Sequence, residues 1–429
     1  MKKITLALCT LCAILFSFAQ ANQQKRKIIL WSFAENNCEE WKRRKADIDK
    51  KFNIDLQIEL FAQNAFIQRL QAVMTDGEGA PDIIEWLIEN NRILSKDPEK
   101  SFVIPLNKFI AKSTLSNNIS AGRLSLVTYG GNIYGLPHDA HPVIMVYNDT
   151  IWKNAGVDVA KIETWDEFFE KAKLLRKLDE NRKEKHFALP SSGMGLYDTM
   201  FMVWQQTGAQ ILTKDGRPNL NSFEFKNFVR KWSNWEKSGA MTTWDWGNFP
   251  KLIKDGTYAS YITPNWWVSQ TDPAVQEGRY QFRVRALPQY KKGIKTGSSW
   301  GGSFLAIPKG TKDADFIFGI IQYIQYDNSA LEARFAETEM LPPLKSFWNN
   351  SVLDFQDPRF GGQKIRRLQA DSAKILMPIT TGDIFWELTS IFRDNYRSYT
   401  SGKLSFDEMI NNSQQDGMET YKSVFEKKN

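Results

Sequence analysis

Between residues 27 and 86 the sequence switches period four times, and this constrains the fold more than any other feature. Residues 27–33 (KIILWSF) read as a short buried strand. Residues 39–52 read as a helix with Trp41, Ile48 and Phe52 on one face. Residues 55–61 alternate like a second strand, and Phe66, Leu70 and Val73 follow at i, i+4 and i+7. Gly77 and Gly79 end that helix, Pro81 bars its continuation, and residues 82–86 form a third apolar run. Strands that alternate with helices in this way favour an α/β fold with a parallel sheet.

Further elements are spread over the chain. Residues 142–147 (PVIMVY) and 303–308 read as strands, the latter stopped by Pro308-Lys309-Gly310. Ile317, Ile320, Ile321 and Ile324 mark an apolar helix. Thr164 to Glu167 and Ser405 to Glu408 are capping boxes. Repeats and low-complexity tethers are lacking, so composition places no domain boundary.

The N-terminus has a different character. Met1-Lys2-Lys3, an apolar run from Ile4 to Phe18, and Ala19-Gln20-Ala21 read as a secretory signal peptide cut after Ala21. The run is short for a bilayer span. With this leader set aside, the formal charge falls from +7 to +5. So dilute a surplus does not suit nucleic acid, and short basic runs such as Lys42 to Lys45 read as solvated helix faces. Of the three cysteines only Cys38 lies beyond the leader, and a single thiol forms no internal disulfide.

Catalytic patterns are weak. Gly297-Ser298-Ser299-Trp300-Gly301 fits G-x-S-x-G, but that motif wants a strand before it and a histidine after its acid. No histidine follows His186. His138, Asp139 and His141 are close in sequence yet fall short of a four-ligand metal set, and read as polar residues of a cleft or hinge. No metal or cofactor is expected. A glycosidase carboxylate pair has no distinguishing spacing.

The fifteen tryptophans say more. Trp41 and Trp232 sit on helical stripes and read as core. Trp86, Trp266, Trp267 and Trp300 stand at strand ends or beside Gly, Asn and Pro. A sugar offers an apolar C–H face and a rim of hydroxyls. Aromatic planes cover the face, while Asp, Glu, Asn and Gln bond the rim.

At Tyr134-Gly135-Leu136-Pro137-His138-Asp139, then Val146-Tyr147-Asn148-Asp149 and Thr164-Trp165-Asp166-Glu167-Phe168, the chain resembles the bacterial extracellular solute-binding proteins of family 1. These are the sugar-binding subunits of ABC importers, the group that includes maltose-binding protein. Ala80 to Ile84, Asp255 to Ala259, Gly301-Gly302 with Leu305 to Gly310, and Gly402-Lys403 extend the likeness in the family's order over almost the whole chain.

The resemblance implies a two-lobed, periplasmic-binding-protein-like (type II) α/β fold. Its lobes are discontinuous, 22–139 with 303–345 and 140–302 with 346–429. Three crossover segments join them, near 139–142, 301–303 and 344–346. It implies ligand contacts at Glu35, Asn36, Gln63, Trp86, Glu89, Asp139, His141, Tyr197, Trp266, Trp300, Gly301, Gly302 and Trp386, to which the tryptophan pattern adds Trp267. His141 stands where the family has a Glu, and Asn265 where it has a Pro. The implied function is a monomeric periplasmic receptor that captures a mono- or oligosaccharide and hands it to an ABC permease, without catalysis of its own. Alternatives are a receptor for another polar solute, such as a polyol or glycerophosphodiester, and a secreted carbohydrate-active enzyme.

Overall fold

A computed structural model describes residues 25–182, 185–191, 195–268, 274–275 and 280–426. The expected leader, 1–21, lies outside the described residues.

The predicted alternation is realised at the start. Strand β1 (Arg26–Ser32) lies between β2 (Ile54–Leu60) and β3 (Ile83–Leu87), parallel to both, with Leu30 opposite Ile58 on one side and Ile83 on the other. Helix α1 (Glu35–Phe52) makes the first crossover and α2 (Gln63–Asp76) the second. Helix α1 starts four residues before the expected Glu39. Ser32 Oγ accepts from the Ala34 amide at 2.9 Å and turns the chain straight off the strand end. Asn53, in the left-handed region at φ 53°, and Gly77, at φ 74°, close the two helices. Left-handed residues are the usual helix stops because they return an N–H to the last carbonyls.

Two strands from far along the chain complete this sheet. Its order is β2-β1-β3-β8-β4, where β4 is Leu136–Pro137 and β8 is Ser303–Ala306, antiparallel to β3 and β4. Under the sheet, Trp41 and Ile48 of α1 share a core with Ile317, Ile320, Ile321 and Ile324 of a later helix, Ala314–Tyr326.

The second sheet is antiparallel, with β5 (Val143–Asn148) between β6 (Ser260–Pro264) and β7 (Phe282–Arg285). Val146 faces Tyr261 on one side and Val284 on the other. All six residues of β5 are buried, which explains a run with no polar alternation. Around it pack helices Trp165–Arg182, Asp198–Gln205 and Phe223–Lys237, with Phe385–Thr400 and Phe406–Phe425.

Both capping boxes cap helices. Ser405 and Glu408 make the full reciprocal pair. Thr164 Oγ1 accepts from the Glu167 amide at 3.2 Å, whereas the Glu167 carboxylate reaches Glu163 N, one residue earlier than a strict box requires.

The chain leaves the first sheet after Pro137 and returns to it at Ser303. These passages lie side by side: Val143 N donates to Ser298 O at 2.9 Å and His138 N to Ser303 O at 3.0 Å. The last passage is more gradual. Phe347, Trp348 and Leu353 pack in the first core, and Phe360 and Ile365 under the second sheet. One helix, Ile365–Ala373, touches both cores, because Ala370 and Ala373 turn back to the first.

Candidate functional site

A cleft of about 890 Å³ opens where the two passages run between the sheets. On the first-lobe side it is lined by Phe33 to Asn37 at the end of β1 and start of α1, by Gln63 at the start of α2, and by Leu87 and Glu89 just beyond β3. Ligands of open α/β sheets sit beyond the carboxyl ends of strands. Two helices also begin here, and their first turns carry amides without intrahelical acceptors. Asp139 and His141 line the floor from the first passage, Trp300 to Ser303 from the second, and Met340 lies beside them.

The opposite wall is aromatic. Trp300 stacks on Trp266 (5.7 Å between centroids, 23° between planes) and on Trp246 (5.8 Å, 15°), while Tyr197 meets it edge-on at 6.0 Å. The Trp266 indole N–H donates to the Trp300 carbonyl at 3.2 Å, fixing the pair. The cleft therefore has one acidic and amidic side and one aromatic side, the division a sugar ring requires.

Eleven of the fourteen expected residues line this cavity, and Trp86, Trp267 and Trp386 do not. Trp86 is fully buried against Phe304, with Gly135 pressed on its ring so closely that a Cβ there would lie 2.4 Å from the indole. Neighbouring residues of a strand point to opposite faces. On β3 that alternation sends Glu85 toward the polar side and Trp86 into the core, so Leu87 takes the expected place. Trp267 is buried under the second sheet, edge-on to Trp246 and Phe249. Trp386 stacks on Phe201 and lines a neighbouring cavity of about 470 Å³ with Asp383, Glu387 and Ser390. Glu89 borders both cavities.

Below the floor is a dense polar layer. Glu85 is fully buried and accepts from Ser32, Asn37 and Ser303, each at 2.5 Å. Burial pushes its carboxyl above the usual range, against the opposing effect of His138 and these donors. Burial likewise raises Glu89. Asp139 goes the other way. Burial works to raise it, but His138, 2.6 Å away, and His141 hold it well below the usual carboxylate range. His141 is pulled down to about 3 by burial, so it is neutral at neutral pH. It has a left-handed backbone (φ 49°), and its Nδ1 lies 3.1 Å from Asn265 Oδ1, just beyond the end of β6. Asp139 Oδ1 and Glu89 Oε2 have no hydrogen-bond partner among the described residues. Buried acceptors of this kind need a donor.

Ser299 of the G-x-S-x-G match is buried at the second passage and held by its backbone. Gln205 Nε2 donates to its carbonyl at 2.5 Å, and its amide donates to Gln205 Oε1 at 3.0 Å. No strand precedes it, so it is not a nucleophile elbow. No group of three or more His, Cys, Asp or Glu side chains among the described residues could hold a metal ion.

Besides Met340 and chain neighbours of expected residues such as Asn37, Leu87 and Ser303, Trp246 and Arg123 escaped the sequence reading. Trp246 had a signal, since it precedes a glycine just as Trp300 does. Arg123 had none, because its bonds are to backbone atoms 16 and 178 residues away.

Two α/β lobes enclosing a cleft with one aromatic and one acidic wall define a binding protein of the type II periplasmic class. The chain belongs to the bacterial extracellular solute-binding protein family, whose sequence model matches residues 44–350. It is 22% identical over 393 residues to an arabinooligosaccharide-binding protein of Halalkalibacterium halodurans, covering 87% of this chain and 85% of that one. A second arabinooligosaccharide-binding protein, of Bacillus subtilis, is 22% identical over 339 residues, covering 73% and 74%. Among solved structures, the sugar-binding protein MalE of Xanthomonas citri superposes with a TM-score of 0.77 at 17% identity, covering 94% of this chain and all of that one. None of the helices described is long and apolar enough to cross a membrane.

Proposed function

We propose that this protein is the sugar receptor of an ABC importer, capturing a mono- or oligosaccharide between its lobes and delivering it to a membrane permease. One observation carries the reading. The stacked wall Trp246–Trp300–Trp266 faces Glu35, Asn36, Gln63 and Glu89 across a single cleft. Aromatic planes take the C–H faces of the sugar and the polar wall takes its hydroxyls. The unpartnered oxygens of Asp139 and Glu89 are the acceptors placed to anchor it. Its relatives include arabinooligosaccharide-binding proteins, which supports a pentose oligomer as the cargo.

In this reading the lobes comprise 22–139 with 303–345 and 140–302 with 346–429, and residues 1–21 are a leader removed on export to the periplasm. The receptor acts as a monomer. Contacts from both walls form together only when the cleft shuts, so ligand shifts the population toward the closed form. The protein performs no chemistry on its cargo, and oligosaccharides incubated with it are returned at full length. Calorimetry and tryptophan fluorescence against pentose and hexose monomers and oligomers test the assignment. Binding with a change in indole emission is expected. Silence across the whole panel at millimolar sugar defeats it.

A further inference from the structure

We infer that Arg123 is the positioning residue of the hinge: one buried guanidinium ties the two crossing passages together and so governs how the lobes move about the cleft. The inference rests on the receptor reading above.

Arg123 is 0% exposed. Its Nε donates to the carbonyl of Asp139, in the first passage, at 3.0 Å. Its Nη1 donates to the carbonyl of Gly301, in the second passage, at 3.0 Å, and to Ser299 Oγ at 3.4 Å. The guanidinium carbon lies 5.2 Å from the centre of the Phe304 ring. Nη2 occupies the space a side chain at residue 302 would need, since a Cβ on Gly302 would lie 1.9 Å from it. The glycine and the arginine thus depend on each other.

A buried charge requires compensation. Two carboxylates of the cleft, Asp139 and Glu89, act on this guanidinium, which burial brings down to about 10. A planar fork can reach two separate carbonyls at once, whereas an ammonium is a point charge and cannot hold both in the same geometry.

The passages contain the backbone that would bend. His141, Gly301 and Gly302 have φ of 49°, 72° and 115°. Hinges are a few such residues that absorb the change in φ and ψ. Arg123 holds them from the first lobe while Gln205 holds Ser299 from the second. The two passages therefore turn as a unit, and the cleft closes along one path.

The test uses the full-length protein after export, with spin labels at Asp47→Cys and Lys403→Cys, both exposed. Cys38 is buried, its thiol raised to about 11 by burial, and escapes thiolate-directed labelling. Inter-lobe distances are measured without sugar in wild type, Arg123→Lys and Arg123→Met, each checked for folding by circular dichroism. Arg123→Met is expected to broaden the distribution and lower sugar affinity ~10-fold, with Arg123→Lys between it and wild type. Folded variants with the wild-type distribution overturn the inference whether or not a sugar is found. If Arg123→Met does not fold, Arg123→Lys decides by the same criterion. A broadened distribution in a protein that binds no sugar leaves the hinge role standing and removes the sugar reading.

Discussion

The indole of Trp246 lies over that of Trp300 with 5.8 Å between centroids and 15° between planes, although the two residues are 54 positions apart. Trp246 is the more exposed member, at 38%, and Trp300 is 9% exposed. The pair therefore offers one open indole and one sheltered one to anything that enters.

Trp246 is partly exposed although its ring also packs on Trp244, Phe249 and Trp267, so its removal should affect binding more than folding. Trp246→Ala is expected to weaken sugar affinity by about 1–2 kcal/mol, roughly 5- to 30-fold, with a smaller loss of melting temperature than Trp86→Ala causes. Calorimetric titration beside a thermal melt separates the two effects. Wild-type affinity would take Trp246 out of the site.

Trp86 should behave in the opposite sense. It fills the core of the first lobe between Phe304 and Gly135. Trp86→Ala is expected to cost about 3–5 kcal/mol of stability. The fraction that remains folded should bind sugar as wild type does. Urea unfolding measures the loss, and a large affinity defect in the folded protein would return Trp86 to the site.

His141 supplies a pH dependence whose sign follows from its burial. Its folded pKa is depressed to about 3 from an ordinary 6.5. The unfolded chain thus takes up a proton that the folded one refuses. Stability from this group is complete above pH 6.5 and is lost as pH falls toward 3, with a slope of at most ~1.4 kcal/mol per pH unit. Asp139, also depressed, adds a loss in the same direction as pH falls through the ordinary carboxylate range and below it. Denaturant midpoints at pH 7, 6 and 5 should decline in wild type and flatten in His141→Asn. Parallel curves for the two proteins would contradict the assignment.

Gln205 holds Ser299 through both ends of its carboxamide. Gln205→Leu leaves a buried N–H and C=O without those partners, at an expected cost of about 1–3 kcal/mol. Slowed hydrogen exchange of the Ser299 amide in wild type, lost in the variant, is the direct readout. Equal exchange in both would show that the backbone is held by other bonds.

The sequence by itself determined the local elements. Apolar periodicity and a glycine stop marked β1 to β3, their helices and the buried strand β5, and two capping boxes marked the helices Trp165–Arg182 and Phe406–Phe425, because those signals act within a few residues. Ordered family motifs gave the two-lobed fold and most of the cleft. What the sequence left open was direction and depth. Whether Trp86 faces ligand or core depends on the phase of a pleated strand, and one residue reverses it. Trp267 follows the lining Trp266 on a helical turn and enters the core, and Trp386, in the first turn of a helix, lines the neighbouring cavity instead. Only the tertiary structure could place Arg123 beneath Gly301 and Gly302, or lay Trp246 on Trp300. Those contacts join segments far apart in the chain, and no local pattern records a partner that only folding brings near.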